Sequence, residues 1–141
     1  MRRVQLIALA LVLGGCATHS LKMYEGPEKP VAEVAIVRVW SPGVIVRSID
    51  GKPAMSTGRE SHAYLNPGDH EFKVSYVVAD ASSDPVTLRA LTRAGRTYVF
   101  GFRVVGKDQV SFFIEDKGRN YDPDCLIPKP GAKGGTEGKD C

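Results

Sequence analysis

The sequence predicts an all-β protein: a small antiparallel β-sandwich, with a partly open β-barrel as the alternative, between a disordered N-terminal tether and a disordered C-terminal tail. Three observations lead there. Short runs rich in Val, Ile, Tyr and Phe recur between positions 34 and 115, each stopped by a Gly, Pro, Asn or Asp turn. No stretch carries a convincing helical period. Closely spaced turns make most neighbouring strands antiparallel, and a sheet with one apolar face must bury that face against a second sheet.

Taken in order, residues 34–40 (Val-Ala-Ile-Val-Arg-Val-Trp) form a continuous apolar run, short enough for a central strand covered on both faces and ended by Ser41-Pro42-Gly43. Residues 44–49 make a second strand, closed by the Asp50-Gly51 turn and Lys52-Pro53. Residues 54–60 show no apolar period and read as a loop. Residues 62–65 and 70–78 flank Asn66-Pro67-Gly68-Asp69, where Pro and Gly suit a type II turn and predict a hairpin. In that hairpin Leu65 faces His70, Tyr64 faces Glu71 and His62 faces Lys73. Residues 86–93 and 96–105 alternate on either side of Ala94-Gly95, with Tyr98, Phe100, Phe102 and Val104 on one face. A turn at residues 106–108 leads to the last strand, 109–115. The total is roughly seven strands, a sandwich of transthyretin-like or immunoglobulin-like size.

The ends read differently. Arg2 and Arg3, the apolar residues 6–13 and Gly14-Gly15 have the three-part layout of a secretory signal, and the apolar run is shorter than the roughly 20 residues a membrane-spanning helix needs. Leu13-Gly14-Gly15-Cys16 resembles the lipobox of bacterial lipoproteins. That resemblance implies cleavage before Cys16 and acylation of its sulfur and amine, and Ala17, in place of an Asp, is similar to the outer-membrane sorting choice. The alternative is an ordinary secretory signal with an unmodified Cys16. The expected organisation is therefore a signal peptide at 1–15, a lipidated tether at 16–30, the β-domain at 31–116 and a tail at 117–141. Gly26, Pro27 and Pro30 break the tether, and the tail has almost no apolar residues after Ile127.

Lipidation of Cys16 would remove the odd member of three cysteines and leave Cys125 and Cys141. These two could form an intramolecular disulfide worth about 3 kcal/mol in the chain-entropy model, stay as free thiols or pair between molecules. Removing Arg2 and Arg3 from 19 basic residues leaves 17 against 16 acidic ones. Such a balance argues against nucleic acid, whose binding needs a basic stripe.

Ile49-Asp-Gly-Lys-Pro53 followed by the segment from Tyr64 to Tyr76, with its Leu-Asn-Pro-Gly-Asp-His core, resembles the PEGA-type and carboxypeptidase-regulatory-like β-domains of bacterial envelope proteins. The segment from Leu88 to Val99 is similar to a pattern found in small proteobacterial lipoproteins. The resemblance implies a β-sandwich used in adhesion, glycan contact or assembly, and it carries over no catalytic residue.

The chemistry-bearing residues point the same way. His62 and His70 fall on opposite faces of the predicted hairpin and so cannot share a metal. No serine lies in a nucleophile motif, and Cys125 has no adjacent base. Asp116, Asp122 and Asp124 do not follow the EF-hand spacing. Arg38, Arg47, Arg89, Arg93, Arg96 and Arg103 read as solvated or edge-guarding residues unless they converge on one sheet. Trp40 and Tyr24 read as packing residues, or as a sugar or protein contact if exposed together. No catalytic residue, metal or cofactor is expected. The expected function is that of a lipid-anchored binding or assembly module on the periplasmic side of the outer membrane, held to the membrane through Cys16 and meeting an envelope protein or glycan. The alternative is an inhibitor of a periplasmic enzyme, or a weakly marked enzyme.

Overall fold

The computed structural model describes residues 19–55, 60–79 and 81–121. Two sheets face each other without closing into a barrel, so the sandwich holds and the barrel alternative does not. Sheet A runs β1 (His19–Lys22), β6 (Glu60–Leu65), β2 (Ala35–Arg38), β10 (Thr97–Gly106), β11 (Gln109–Gly118). Sheet B runs β3 (Trp40–Ser41), β4 (Val44–Ile49), β7 (Gly68–Val78), β8 (Ala81–Ser82), with β5 (Lys52–Pro53) on β4 and β9 (Val86–Thr92) on β7. The described helical content is one 3₁₀ turn, Val31–Glu33.

The predicted central strand is central. All four residues of β2 are buried, and the strand lies between β6 and β10. Its alternation sends Ala35 and Val37 into the core and Ile36 and Arg38 to the opposite face. The apolar run to Trp40 does not stay in one sheet, because the chain passes through Val39 from sheet A into β3 of sheet B. Val44, Val46 and Ile49 from β4, Ala63 and Leu65 from β6, Phe72 and Val74 from β7, and Tyr98 and Phe100 from β10 complete the core. The Phe72 and Phe100 rings meet edge to face across the two sheets, their centroids 5.1 Å apart.

The turns separate into two kinds. The expected turn forms: Asp50 and Gly51 have φ of +50° and +77°, the paired positive values of a type I′ turn, and they join β4 to the short β5, whose Lys52-Pro53 was read as part of the turn. The β10–β11 hairpin also forms, closing through Lys107 and Asp108 between Gly106 and Gln109. The hairpin expected at Asn66-Pro67-Gly68 does not form. Gly68 has φ +145° instead of the value near +80° that a type II turn needs. β6 pairs with β2 and β1 in sheet A, whereas β7 pairs with β4, β8 and β9 in sheet B. Residues 66–67 therefore carry the chain across the sandwich, as residues 93–96 do between β9 and β10. The expected pairs Leu65–His70, Tyr64–Glu71 and His62–Lys73 give way to Leu65–Ala35, Tyr64–Ile36 and His62–Arg38.

The N-terminal boundary also moves. Residues 19–22, expected within the tether, form β1 parallel to β6, and Leu21 and Met23 pack against the core. The Lys22 and Lys29 ammonium groups both lie over the Tyr24 ring, 5.1 and 5.2 Å from its centroid. Lys29 Nζ donates to Asn66 Oδ1 at 2.6 Å, which ties residues 23–30 to the crossing. At the other end β11 runs to Gly118, two residues past the expected end of the domain. β1 and β10 both pair in parallel within sheet A, so the sandwich is mixed where an antiparallel one was expected.

Gly43 marks a close approach between the sheets. It has φ +81°, and a Cβ there would lie 2.5 Å from the Phe102 ring. Gly51 has φ +77° with open space around it. Gly43→Ala should therefore lower unfolding free energy by about 1–3 kcal/mol, more than the roughly 1 kcal/mol expected of Gly51→Ala, which meets backbone strain alone. Urea denaturation of the two variants makes the comparison.

Candidate functional site

Two polar clusters stand out, one on each sheet. The first surrounds the Asp50-Gly51 turn. The turn holds Asp50 opposite Glu71, whose N–H donates to Asp50 Oδ1 at 2.9 Å and whose carbonyl accepts from Asp50 N at 2.8 Å. His70 Nδ1 donates to Asp50 Oδ2 at 2.6 Å, and His70 Nε2 faces the Asn66 carbonyl at 2.7 Å. Both ring nitrogens therefore face acceptors. Next to them Arg89 donates to Glu71 at 3.0 Å, an exposed pair that adds little stability. Asp50, Asp69, His70, Glu71 and Arg89 line an open depression of about 360 Å³.

The electrostatics of this cluster centre on Asp50. Desolvation pushes its carboxyl up, but the Glu71 N–H, the hydrogen bond and charge of His70, and the Lys52 charge together hold it below the usual carboxylate range. Asp116 follows the same logic on sheet A. Desolvation raises it, while the Arg96 guanidinium, with Nε 2.9 and 2.7 Å from the two carboxylate oxygens, and the Gly118 N–H outweigh that effect.

The second cluster lies on the face of sheet A turned away from the core. Arg38 is wholly buried, and its Nε donates to the Trp40 carbonyl at 2.7 Å. His62, opposite Arg38 in the register, is 5 % exposed. Its Nδ1 contacts Ser61 Oγ at 2.7 Å and its Nε2 the Tyr64 hydroxyl at 3.2 Å. Ser61, His62 and Tyr64 thus form a hydroxyl–imidazole–phenol chain around a buried ring.

Sequence reasoning placed some of these residues and missed others. His62 and His70 do not converge, for the reason that they sit in different sheets, not on two faces of one hairpin. His70 is a rim residue held at a turn, as expected, but the turn is Asp50-Gly51 as well as the adjacent crossing. Asp116 is taken up by Arg96 and Gly118, while Asp122 and Asp124 lie outside the described residues, as do Cys16, Cys125 and Cys141. Among the described residues no group of three His, Cys, Asp or Glu side chains is placed to hold a metal ion.

The arginines do not form one patch. Arg38 is buried in sheet A, Arg47 reaches Ser75 and Arg89 reaches Glu71 on sheet B, Arg96 pairs with Asp116, and Arg103 lies over the Phe113 ring at 5.0 Å. Arg38 was expected in solvent. It lies within the apolar run 34–40, which reads as a strand buried on both faces, and that pattern could have found it. Trp40 and Tyr24 are likewise separate: Trp40, 42 % exposed, is on sheet B, and Tyr24 is held by two lysines beside sheet A.

No protein-family model, no curated protein and no solved structure matches the chain.

Asp50→Asn should cost about 1 kcal/mol at neutral pH, because a neutral amide is a weaker acceptor for the Glu71 N–H and His70. A carboxyl lowered by folding adds stability that is complete above the unfolded-state value of about 3.9 and is lost as pH falls through the folded-state value. The gap between wild type and Asp50→Asn should therefore close in acid, as followed by denaturation at a series of pH values. A gap that widened below about pH 4 would contradict the assignment.

Proposed function

We propose that the protein is a lipid-anchored envelope protein, acylated at Cys16, whose sandwich acts as a binding or assembly module for another envelope component on the periplasmic side of the outer membrane. The observation that carries this reading is the sequence Leu13-Gly14-Gly15-Cys16 after a basic and apolar leader. Ala17 following the cysteine favours outer-membrane sorting. The domain after it is a sandwich of short strands, a scaffold that offers sheet faces, edges and end loops as contact surfaces. Cys125 and Cys141 would share the oxidising compartment, where they can pair.

Within this reading the partner surface is the end that carries the Asp50, Asp69, His70, Glu71 and Arg89 depression. Exposed Leu91 stands opposite Asp69 in the β7–β9 register and supplies an apolar contact at its edge. Charged groups of both signs around an apolar side chain suit a polar protein or glycan surface, with orientation set by paired charges.

The anchor is tested by metabolic labelling with an alkyne fatty acid and by membrane fractionation. Wild type should carry the label and float with outer-membrane vesicles, and Cys16→Ser should lose the label and appear in the soluble fraction. An unlabelled wild type, or a Cys16→Ser form that still floats, would overturn the reading.

A further inference from the structure

We infer that the end of the sandwich opposite the Asp50–His70 depression docks on the bilayer itself, with Val104, Val105, Val78 and Trp40 set into the interface. This inference rests on the lipid-anchor reading above. It starts from the distance between Cys16 and the fold. β1 begins at His19, only three residues after Cys16. Three residues span at most about 11 Å even when fully extended, so an acylated Cys16 holds the start of β1 at the membrane surface.

Strand directions then identify which end that is. β1 is parallel to β6, β6 is antiparallel to β2, and β2 is parallel to β10. The start of β1 therefore lies at the end of sheet A toward which β10 runs. Tyr98 pairs with Val37, Val37 with Ala63, and His19 with Glu60. Continuing this register places Gly101 level with His19. Val104 and Val105 lie three and four residues further along, roughly 10–13 Å at about 3.3 Å per residue, the same reach as that of Cys16.

Sheet B contributes to the same end. The turn at Gly43 abuts the Phe102 ring, and the Tyr76 and Phe102 rings are 4.6 Å apart. Val77 N donates to the Gly43 carbonyl at 3.0 Å. Trp40 enters this turn and Val78 ends β7 beside it. The exposures are 69 % for Val104, 61 % for Val105, 49 % for Val78 and 42 % for Trp40. Of the other exposed large apolar side chains among the described residues, Val86 begins β9 opposite Val74, four residues short of Val78, and Val31 and Leu91 lie at the far end. Lys107 and Asp108 at the hairpin tip offset each other in charge, so contact with lipid is driven by apolar area, with the tryptophan ring suited to the headgroup boundary.

Trp40 is the single tryptophan of the chain and reports on its own position. The lipidated full-length protein, purified in detergent and reconstituted into phosphatidylcholine–phosphatidylglycerol vesicles, is compared in plain lipid and in lipid brominated near the headgroup. Interfacial side chains sit about 5–10 Å into the boundary, so bromolipid should quench Trp40 by roughly half. Val104→Asp with Val105→Asp should abolish most of that quenching while the protein still floats with vesicles through its lipid. The milder Val104→Ser with Val105→Ser gives an intermediate value, and far-UV circular dichroism verifies that both variants keep their strands. Equal Trp40 emission in plain and brominated vesicles, in protein that floats, would overturn the docking and leave the anchor standing. Protein that carries no lipid and does not float would overturn the anchor reading and the docking with it.

Discussion

The structure depends on the burial of β2. Four consecutive residues with no exposed side chain leave Ala35–Arg38 no solvent face and no open edge. Every peptide group of such a strand needs partners within the sheet, since a buried N–H or C=O left unpaired costs about 1–3 kcal/mol. β6 and β10 supply them on its two sides. With β2 on one edge of β6 and β1 on the other, the chain leaving Leu65 has no open edge to fold back on, and β7 starts the other sheet. The two-residue connection is short enough that Leu65 and Phe72 enter the core from opposite walls. The edge-to-face contact of Phe72 with Phe100 then fixes how far apart those walls stand.

This path gives the sandwich two different ends. At one, the Asp50-Gly51 turn and the crossing at residues 66–67 are joined through His70, and carboxylates collect around the ring. At the other, the β10–β11 hairpin extends past the core and leaves valines in solvent. Burial declines along β10 accordingly, from wholly packed Tyr98 and Phe100 through half-buried Phe102 to exposed Val104, although the alternation puts all four on one face. The membrane attachment proposed at Cys16 would lie next to β1, with the polar end facing away from it.

Much of this was legible in the sequence, and the reasons for the remainder are physical. Strand positions followed from apolar runs and turn residues, and Asp50-Gly51 marked its turn because Asp-Gly is one of the few pairs that accept two positive φ values. Strand partners did not follow, because Pro-Gly signals a change of direction equally well for a hairpin and for a change of sheet. β1 gave no signal of its own: of its residues and the next, only Leu21 and Met23 are apolar, and their burial comes from a strand about forty residues away. The same non-locality concealed both polar clusters. Asp50 meets His70 across two strands, and His62 meets Arg38 only because β6 lies beside β2.

The crossing at residues 66–67 is the claim on which the two-ended description rests, and nuclear Overhauser contacts in the isotope-labelled domain test it directly. The account predicts cross-strand backbone contacts between Ile36 and Tyr64 and between Phe72 and Leu88, together with ring contacts between Phe72 and Phe100. Backbone contacts joining Tyr64 to Glu71 and Leu65 to His70, the pattern of a hairpin at Asn66-Pro67-Gly68, would contradict it.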